Sequence, residues 1–472
     1  MEEFKIFQGG SFIKTGSPIE VLNPYNGEVV GQTYLAGNPE LERAIHSGLQ
    51  VEKELKILPS YKKYEILMQI AGELSREKEE FARILCLESA KPIRYALSEV
   101  DRAIQTFIVT AEESKRLPKE YISLDWTPAG EKKEGLVKYF PIGLVAGISP
   151  FNFPLNLAVH KIAPAIAAGC PIILKPSTLT PLSTLKLSRI IHNTALPKGS
   201  VSILPMDRKT GNILVTDERF KLLSFTGSPE VGWKMKQDAG KKKVVLELGG
   251  NAAVIVTESA DIDQAVAKCL VGGFSYSGQV CIHAQRIYVQ EKIYSEFSEK
   301  FISKVQKFKI GDPLNPETEL SAMIDEANAI RVEQWVNEAV NTGAKILTGG
   351  KRNGAFYPAT VLTETKNEMK VCSLEVFGPV VNLEPYTDFE IAIDMVNDSR
   401  FGLQAGVFTN DLKQMNIAFE NLEVGGVIIN DVPTFRVDHM PYGGIKDSGL
   451  GREGVKYAIM DMMEPRLLVK NI

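Results

Sequence analysis

Residues 144–175 read LVAGISPFNFPLNLAVHKIAPAIAAGCPIILK and contain a complete strand–helix–strand unit. The predominantly apolar runs Leu144–Ile148 and Ile172–Lys175 have the length of buried strands, and the residues from about 155 to 168 have a helical pattern. Strands joined in this way by helices build parallel sheets that are covered on both faces. The stretch therefore predicts an α/β fold with a doubly wound parallel sheet.

The same alternation continues downstream and then starts again in a second series. Further strands are expected at Val201–Leu204, Leu222–Phe225 and Val244–Leu248, with helices at Pro181–Thr194 and Glu230–Ala239. The second series contains strands at Ala253–Val256, Ile287–Val289, Gly406–Thr409 and Val427–Asn430 and a helix from about Ile262 to Phe274. We expect two doubly wound α/β domains with a boundary near Gly249–Asn251.

A smaller β element stands apart from these two series. Residues 121–139 alternate around the turn-rich Thr127-Pro-Ala-Gly130, which predicts a hairpin, whereas residues 61–116 before it have helical periodicity. The terminal run Glu464–Val469 is also β-like and has no neighbour in the sequence to pair with. Because a lone strand and a hairpin both need a partner, we expect the tail to join the hairpin of its own or of another subunit.

Composition argues against several classes of function. The 472-residue chain has a formal net charge of −4 and a sequence pI of about 5.9, whereas nucleic-acid-binding domains usually have a pI above roughly 9. Its five cysteines lack the short paired spacings of zinc sites. No stretch reaches about 18 uninterrupted apolar residues, and the first ten residues do not resemble a signal peptide. We expect a cytoplasmic protein without a metal site, a membrane span or a nucleic-acid partner.

Unusual residues collect where the predicted strands of the first series end. Ser149–Pro154 follows the first strand, Lys175–Thr178 the second, and Phe225–Ser228 the fourth, where a helix begins. Ligands of such sheets bind beyond the carboxyl ends of the strands, and a helix N-terminus suits a phosphate. Simple N-capping by Ser228 is the alternative. Because the Gly-x-Gly-x-x-Gly fingerprint is missing after the first strand, any dinucleotide must bind in another way.

Three residues combine into a candidate catalytic site. Cys281 follows the glycine-containing stretch Ser277-Gly-Gln279, and a thiol is a strong nucleophile towards a carbonyl; a buried structural cysteine is the alternative. Glu247 ends an apolar strand before two glycines, where partial burial favours a general base; a carboxylate held by the glycine N–H groups is the alternative. Asn152 offers an amide donor suited to a developing oxyanion. Together they predict covalent catalysis by a thiol.

Seven motifs follow one another along nearly the whole chain: Phe151-Asn-Phe-Pro154, Lys175-Pro-Ser177, Phe225-Thr-Gly-Ser228, Glu247-Leu-Gly-Gly250, Gly278-Gln-Val-Cys281, Glu375-Val-Phe-Gly-Pro379 and Pro441-Tyr-Gly-Gly-Ile-Lys-Asp-Ser-Gly449. In their order and spacing, the chain resembles the aldehyde dehydrogenase superfamily. The resemblance implies NAD(P)-dependent oxidation of an aldehyde to a carboxylate through a cysteine thiohemiacetal and a thioester.

The resemblance also implies roles for individual residues. Cys281 would be the nucleophile, Asn152 with the backbone N–H of Cys281 the oxyanion hole, and Glu247 the base that activates the deacylating water. Lys175 would hold the adenine ribose, Ser228 the pyrophosphate, and Glu375 with Phe377 the nicotinamide ribose. The complete set of implied cofactor contacts is Ser149, Pro150, Lys175, Ser177, Thr178, Gly227, Ser228, Leu248, Gly249, Glu375 and Phe377.

The resemblance further implies a division of the chain. Residues 1–120 and 141–249 would form the dinucleotide-binding domain, and residues 250–445 the catalytic domain. Residues 121–140 and 446–472 would form an oligomerisation element, which implies a homodimer or homotetramer.

Departures from the family's pattern bear on cofactor and substrate. Thr178 stands where NAD-preferring members often carry a Glu, so no negative charge repels a 2′-phosphate and NADP is slightly favoured over NAD. Val280 replaces the arginine that members acting on acidic or phosphorylated aldehydes can carry. The implied substrate contacts are Phe153, His160 and Arg436, and the last two are polar where many relatives use aromatics. We expect a small hydroxyaldehyde such as lactaldehyde, with succinate semialdehyde or glyceraldehyde 3-phosphate as alternatives.

Competing interpretations accompany these expectations. His160 could serve only the buried helix that carries it, and Arg436 could pair with Asp438 at the surface. A thiol hydrolase would use Cys281 with His283, which is a different class of enzyme. A CoA-acylating relative would generally lack the glutamate base, and a catalytically silent scaffold would be expected to lose the nucleophile or the base first.

Overall fold

The computed structural model describes residues 2–472. The α-helices are α1 Asn38–Ile57, α2 Ser60–Arg76, α3 Lys78–Ser89, α4 Ile93–Ser114, α5 Pro154–Ala168, α6 Leu182–His192, α7 Arg208–Thr216, α8 Pro229–Asp238, α9 Ile262–Phe274, α10 Glu291–Val305, α11 Glu326–Asn341, α12 Lys370–Ser373, α13 Phe389–Asn397, α14 Leu412–Asn421 and α15 Val455–Asp461. Within the described range, none of these helices is long and apolar enough to cross a membrane.

The strands are β1 Glu2–Glu3, β2 Ile6–Gln8, β3 Ser11–Ile13, β4 Pro18–Leu22, β5 Val29–Tyr34, β6 Lys119–Ser123, β7 Lys133–Pro141, β8 Val145–Ile148, β9 Ile172–Lys175, β10 Val201–Ile203, β11 Leu222–Thr226, β12 Lys243–Glu247, β13 Ala253–Val256, β14 Arg286–Gln290, β15 Lys345–Thr348, β16 Thr360–Thr363, β17 Val380–Tyr386, β18 Phe401–Gly402, β19 Gln404–Phe408, β20 Gly426–Ile429, β21 Ile445–Lys446, β22 Gly449–Leu450 and β23 Met463–Asn471.

The first large sheet has eight strands in the order β22-β12-β11-β8-β9-β10-β2-β3. Its five central strands, from β12 to β10, run parallel, which confirms the predicted doubly wound sheet. The edges differ from the prediction, because β22, β2 and β3 pair antiparallel. Antiparallel neighbours need no crossover helix, so short strands from the two ends of the chain can complete this sheet.

Helix α5 is the buried centre of this first α/β unit. All of its residues are buried, and its sequence is apolar on nearly every face, as expected for a helix that is packed on all sides. Pro154 occupies its first position, where the missing N–H costs nothing. The helix packs against β8 and β9 and under α2, α4 and α6. Since α5 follows β8 directly, the connection at residues 149–153 is fixed at the carboxyl edge of the sheet.

The second large sheet has seven strands in the order β15-β16-β17-β14-β13-β19-β20. The six strands from β16 to β20 run parallel, and β15 pairs antiparallel at the edge. The predicted strand Ala253–Val256 and the predicted helix Ile262–Phe274 coincide with β13 and α9. The chain passes from the first sheet to the second between β12 and β13.

A separate three-stranded antiparallel sheet has the order β23-β7-β6. Strand β23 pairs with β7 along its whole length, from Met463 opposite Pro141 to Asn471 opposite Lys133. The tail therefore joins the hairpin of its own chain. The rest of the C-terminal segment belongs elsewhere, because β22 pairs with β12 and α15 packs on α4 and α5.

The sequence analysis did not predict several helices and strands. Helix α1, the small sheet β1-β5-β4 and helix α7 were not expected. Helix α7 begins with the polar stretch Arg208-Lys-Thr210 and contains Gly211, which weakens its apolar pattern. Its N-terminal signal was nevertheless present, because the Asp207 side chain caps the helix by accepting the Thr210 N–H over 2.7 Å.

Candidate active site

A cavity of about 970 Å³ lies between the carboxyl ends of the first sheet and the second α/β unit. Its lining includes Asn152, Glu247 and Cys281, the three residues predicted to carry the chemistry. Asn152 follows β8, Glu247 ends β12, and Cys281 lies between α9 and β14. Because parallel strands end at one edge of a sheet, residues far apart in the sequence meet in this cavity.

The loop that carries the predicted nucleophile has an unusual backbone. Tyr276, Ser277 and Gly278 have φ values of 49°, 53° and 67°, and left-handed conformations are costly for residues other than glycine. The Ser277 hydroxyl donates to the carbonyl oxygen of Ser321 over 2.8 Å. A Cβ on Gly278 would lie only 2.1 Å from the carbonyl oxygen of Gly378. Tertiary contacts therefore fix this loop in a conformation that requires glycine at position 278.

Cys281 is half-buried, whereas the other cysteines of the described chain are buried. Its Sγ lies 3.1 Å from the Tyr442 hydroxyl, and the Arg436 guanidinium lies 3.6 Å from the centre of the Tyr442 ring. Burial raises the pKa of the Cys281 thiol to about 11, while the Tyr442 hydrogen bond and the Arg436 charge act in the opposite direction. A thiol that lines the cavity does not fit the alternative of a purely structural cysteine.

The Glu247 carboxylate is buried, and no hydrogen bond from the described residues offsets the loss of its hydration. Within residues 2–472, neither of its carboxylate oxygens has a hydrogen-bond partner, so the alternative in which glycine N–H groups hold it is wrong. Burial raises the pKa of Glu247 well above its usual range, and the negative charge of Glu453 raises it further. A carboxylate whose pKa is raised accepts a proton more readily, which suits it to general-base catalysis.

Asn152 is anchored at both its side chain and its backbone. Its Nδ2 donates to the carbonyl oxygen of Gln279 over 3.0 Å, and its own carbonyl oxygen accepts from Lys91 Nζ over 2.7 Å. Because an amide nitrogen carries two N–H donors, one remains for a ligand. The arrangement can therefore offer a hydrogen bond to an oxyanion that forms beside Cys281.

A second cavity, of about 520 Å³, adjoins the first at the ends of β8, β9 and β11. The predicted cofactor residues in its lining are Ser149, Pro150, Lys175, Ser177, Thr178 and Gly227. The buried Ser149 hydroxyl has no hydrogen-bond partner in the described chain. In the same part of the chain, Ser228 is the N-cap residue of α8, but its side chain makes no capping hydrogen bond. Free donors at a helix N-terminus fit the phosphates and hydroxyls of a dinucleotide.

The other predicted cofactor residues line the larger cavity: Ser228, Leu248, Gly249, Glu375 and Phe377. Glu375 Oε1 accepts the N–H of Gly250 over 3.1 Å, and burial raises the pKa of Glu375 to about 8. A Cβ at Gly249 would lie 2.0 Å from Glu375 Oε2. Phe377 has a φ of 46° and packs edge-on against Phe151, with ring centres 5.8 Å apart. Glycine at position 249 is thus needed for the close approach of Glu375.

A buried network of charged groups lies next to the nucleophile. Arg436 pairs with Glu453 at 2.8 Å, and His160 contacts Glu453 at 2.9 Å and Asp438 at 2.8 Å. Arg102 donates to the same oxygen of Asp438, Oδ1, over 2.6 Å. The alternative of a surface Arg436–Asp438 pair is wrong, because Arg436 is buried and pairs with Glu453. The two ring nitrogens of His160 both face carboxylates, so His160 does more than fill the helix that carries it.

The predicted substrate contacts do not all lie in the cavity wall. Phe153 and Arg436 line the larger cavity. His160 does not line it and lies behind Arg436 in the charged network, with its Nδ1 3.0 Å from Arg436 Nη2. Arg102 and Tyr442 also line the cavity and were missed. Tyr442 belongs to the motif that begins at Pro441, which was a usable signal, but Arg102 lies in an ordinary amphipathic helix and gave none.

His283 does not support the thiol-hydrolase alternative. Its Nε2 lies 2.8 Å from the carbonyl oxygen of Gly273, and burial lowers its pKa to about 4. The hydroxyl of Tyr442, rather than an imidazole, contacts the Cys281 sulfur. A neutral buried imidazole turned towards a backbone carbonyl is poorly placed to activate the thiol.

Known proteins share nearly the whole length of this chain. The aldehyde dehydrogenase family matches residues 12–468. The 3-sulfolactaldehyde dehydrogenase of Priestia aryabhattai is 42% identical over 100% of this chain and 99% of its own. The lactaldehyde dehydrogenase of Methanococcus aeolicus is 41% identical over 99% of this chain and 100% of its own. The structure of aldehyde dehydrogenase 21 from Physcomitrella patens, in complex with the reaction product succinate, is similar with a TM-score of 0.98 and 45% identity, covering 100% of this chain and 98% of that one.

The Tyr442 contact predicts the reactivity of the thiol. In Tyr442→Phe, the thiolate loses a hydrogen bond, so the pKa of Cys281 should rise by about one unit and alkylation by iodoacetamide at pH 8 should slow about tenfold. The measurement is the alkylation rate of the cofactor-free protein over a pH series, with Cys281→Ala giving the background from the buried cysteines. An unchanged rate would show that Tyr442 does not stabilise the thiolate.

Proposed function

The chain belongs to the aldehyde dehydrogenase family and is an NAD(P)-dependent aldehyde dehydrogenase, and we propose that Cys281, Glu247 and Asn152 carry its chemistry. The observation that supports these roles best is the meeting of a half-buried thiol, an unpartnered carboxylate and a free amide N–H in one cavity. No two of these residues are neighbours in the sequence.

The first half of the reaction is attack on the aldehyde. The Cys281 thiolate adds to the carbonyl carbon and forms a thiohemiacetal. The free Asn152 N–H and the backbone N–H of Cys281 donate to its oxyanion. The bound nicotinamide ring supplies the acceptor for the hydride that leaves the thiohemiacetal carbon. Ser149, Lys175 and the N-terminus of α8 would hold the dinucleotide, and Glu375 with Phe377 would hold its nicotinamide end.

The second half is hydrolysis of the thioester that Cys281 carries. Glu247 takes a proton from a water molecule while the water oxygen attacks the thioester carbonyl. Asn152 again stabilises the oxyanion. Collapse of this tetrahedral species breaks the carbon–sulfur bond, releases the carboxylate and returns the Cys281 thiolate.

A pre-steady-state experiment distinguishes the role of the Cys281 thiol from that of the Glu247 carboxylate. Cys281→Ala should reduce no cofactor, because no thiohemiacetal forms. Glu247→Gln should reduce about one equivalent of cofactor rapidly and then turn over roughly 100-fold or more slowly, because the thioester accumulates without its base. Stopped-flow detection of the reduced nicotinamide, with intact-protein mass to detect the acyl adduct, measures both. A Glu247→Gln enzyme that neither bursts nor acylates would contradict this assignment.

The charges around the cavity favour an aldehyde that carries an anionic group. Three cations, Arg102, Arg436 and Lys161, pair with the two carboxylates Asp438 and Glu453, and the Glu247 carboxylate lies near Arg436 and Lys161. The Arg436 Nε is buried without a partner within residues 2–472, and Arg102 and Arg436 both line the cavity. Such guanidinium groups suit a carboxylate or sulfonate.

The substrate is therefore a short aldehyde of the hydroxyaldehyde type, with preference for one that bears an anion at its far end. The names of the relatives fit this class, since one acts on 3-sulfolactaldehyde and another structure holds succinate. Neutral lactaldehyde, after which a further relative is named, fits the same cavity without a charged contact to Arg102 or Arg436.

Substitution of Arg102 tests this preference. Arg102→Gln should lower kcat/KM for succinate semialdehyde and 3-sulfolactaldehyde about tenfold, which corresponds to one charge-assisted hydrogen bond, and should leave lactaldehyde almost unaffected. Initial rates over the three aldehydes measure the difference. Arg102→Lys is the matched control, because it keeps the charge and should lose less. An equal loss for the neutral and the anionic aldehydes would rule out recognition of the anion.

NADP is the preferred cofactor. The cavity of about 520 Å³ is lined by Thr178 together with the cations Lys175 and Arg208 and the carboxylate of Asp207. Asp207 is already engaged as the cap of α7, through the Thr210 N–H. The net positive lining supports acceptance of a 2′-phosphate.

A charge introduced at position 178 should reverse this preference. Thr178→Glu should lower the ratio of kcat/KM for NADP to that for NAD at least about tenfold through repulsion of the 2′-phosphate. Thr178→Gln introduces a side chain of nearly the same size as glutamate without the charge and should leave the ratio close to that of the wild type. The ratio is measured from initial rates with each cofactor at saturating aldehyde. If both variants change it equally, size rather than charge sets the preference.

The enzyme is a homodimer or homotetramer that assembles through the sheet β6-β7-β23. Apolar side chains are exposed on this sheet, including Tyr121, Leu467, Leu468 and Val469. In this proposal, the remainder of the chain forms a dinucleotide-binding domain and a catalytic domain, and the sheet β6-β7-β23 belongs to the oligomerisation element. Exposed apolar side chains that lie together on one element are typical of a surface that another subunit covers.

Light scattering tests the assembly. Leu467→Asp/Leu468→Asp places charges on both faces of β23 and should shift the protein to a smaller species. Ile57→Asp changes another exposed apolar residue, at the end of α1, and should not. A monodisperse monomer in the wild type would overturn the proposal.

A further inference from the structure

Lys91 is a fully buried cation that the mechanism above does not use. It lies between α3 and α4, and its side chain is inaccessible to solvent. Its Nζ pairs with Glu99 and donates to the carbonyl oxygen of Asn152 over 2.7 Å. The same ammonium lies 3.9 Å from the centre of the Phe153 ring and 4.5 Å from that of Tyr276.

Its partner Glu99 is equally buried and holds the start of α5. Glu99 Oε1 accepts the backbone N–H groups of Leu155 and Asn156 over 3.0 and 3.2 Å. These are N–H groups of the first helical turn, which have no partner within the helix. The ion pair therefore holds both sides of the connection between β8 and α5, one side through Lys91 and the other through Glu99.

Lys91 also joins this connection to the loop of the nucleophile. Phe153 follows Asn152 directly, whereas Tyr276 begins the left-handed stretch that leads to Cys281. A cation between two aromatic faces attracts both. The Tyr276 hydroxyl donates to the carbonyl oxygen of Ser89 over 3.2 Å, which holds Tyr276 from its far end.

Stability alone is a weak reason for such a pair. Moving two charges out of water carries a large desolvation penalty, and replacement of a buried pair by apolar groups is often neutral or stabilising. The position of this pair gives a better reason. It contacts the backbone of the oxyanion residue, the first turn of α5 and the loop of the nucleophile at once.

We propose that Lys91 and Glu99 form a positioning pair that fixes the Asn152 amide relative to the Cys281 sulfur. The proposal rests on the roles of Asn152 and Cys281 given above. An oxyanion donor must lie within a few tenths of an ångström of its productive position, and misplacement by about 1 Å can cost on the order of 100-fold in rate. Lys91 acts through Asn152 and does not touch the reacting atoms.

The test is a double-mutant cycle between the pair and Asn152. Lys91→Met/Glu99→Gln removes both charges together, and the amide oxygen that replaces the carboxylate of Glu99 can still accept from the first turn of α5. This variant should lose kcat by roughly 10- to 100-fold with little change in the KM for the aldehyde. When the same changes are made in Asn152→Ala, kcat should fall no further, because the group that the pair positions is already absent.

Glu88→Gln is the matched control. Glu88 is another fully buried carboxylate that accepts the first N–H groups of a helix, those of Leu182 and Ser183 in α6, at 2.7 and 3.2 Å. It makes these contacts on α6 rather than on α5, so its substitution should leave kcat unchanged. Thermal unfolding and iodoacetamide reactivity of Cys281 show whether each variant is folded. If the double variant does not fold, Lys91→Arg serves in the same cycle, because it keeps the charge but changes its geometry between the two rings.

The outcomes separate this inference from the proposed function. If the losses from the pair and from Asn152→Ala multiply, the pair does not act through Asn152 and the inference is overturned. If kcat in the folded pair variant equals that of the wild type, it is overturned as well. Failure of the proposed function has a different signature, in which Cys281→Ala or Asn152→Ala retains full turnover.

Discussion

The common direction of β8, β9, β11 and β12 is the constraint on which the cavity depends. Parallel strands present all their carboxyl ends at one edge, and the helices that follow point their N-termini there. Asn152, Lys175, Ser228 and Glu247 each lie at or just after the end of one of these strands. The second α/β unit supplies the thiol, on a loop held against the same edge, and also the cavity residues Glu375 and Phe377. Because the polar groups of the first sheet lie at or just after the ends of strands, rigid elements rather than long loops hold them in position.

Electrostatics divides two neighbouring carboxylates into different roles. Burial disfavours ionisation of both Glu247 and Glu453. For Glu453 the nearby Lys161, His160 and Arg436 outweigh burial and hold its pKa well below the usual range. Glu247 has no hydrogen-bond partner among the described residues and lies within reach of the Glu453 charge, so its pKa moves the other way. Pairs of groups with pKa values pushed apart are typical of sites that need one proton acceptor and one fixed charge. The fixed charge also retains Arg436 beside the cavity.

Much of this arrangement follows from local sequence. Strand–helix alternation predicts the parallel sheets, and the rule that ligands bind at strand ends then selects Asn152, Lys175 and Glu247 as site residues. The antiparallel edge strands of the first sheet could not be predicted from the sequence, because β2, β3 and β22 are too short to show an alternation of apolar and polar residues. Arg102 and Lys91 were also hidden, since each lies in or beside an amphipathic helix and contacts the site only through residues more than fifty positions away, Asp438 for Arg102 and Asn152 for Lys91. Periodicity reports which face of a helix is buried, but it does not report which charge is buried against which backbone group.

The pairing of β23 with β7 has a consequence for the order of events during synthesis. The hairpin β6-β7 leaves the ribosome before the second α/β unit, whereas β23, which completes its sheet, is synthesised after that unit. Until β23 has been synthesised, one edge of β7 has unpaired N–H and C=O groups, the kind of edge that promotes association between nascent chains. The charged side chains of Lys133, Glu134 and Lys138 on β7 counter this tendency. The nascent hairpin is thus protected by charge until the tail arrives.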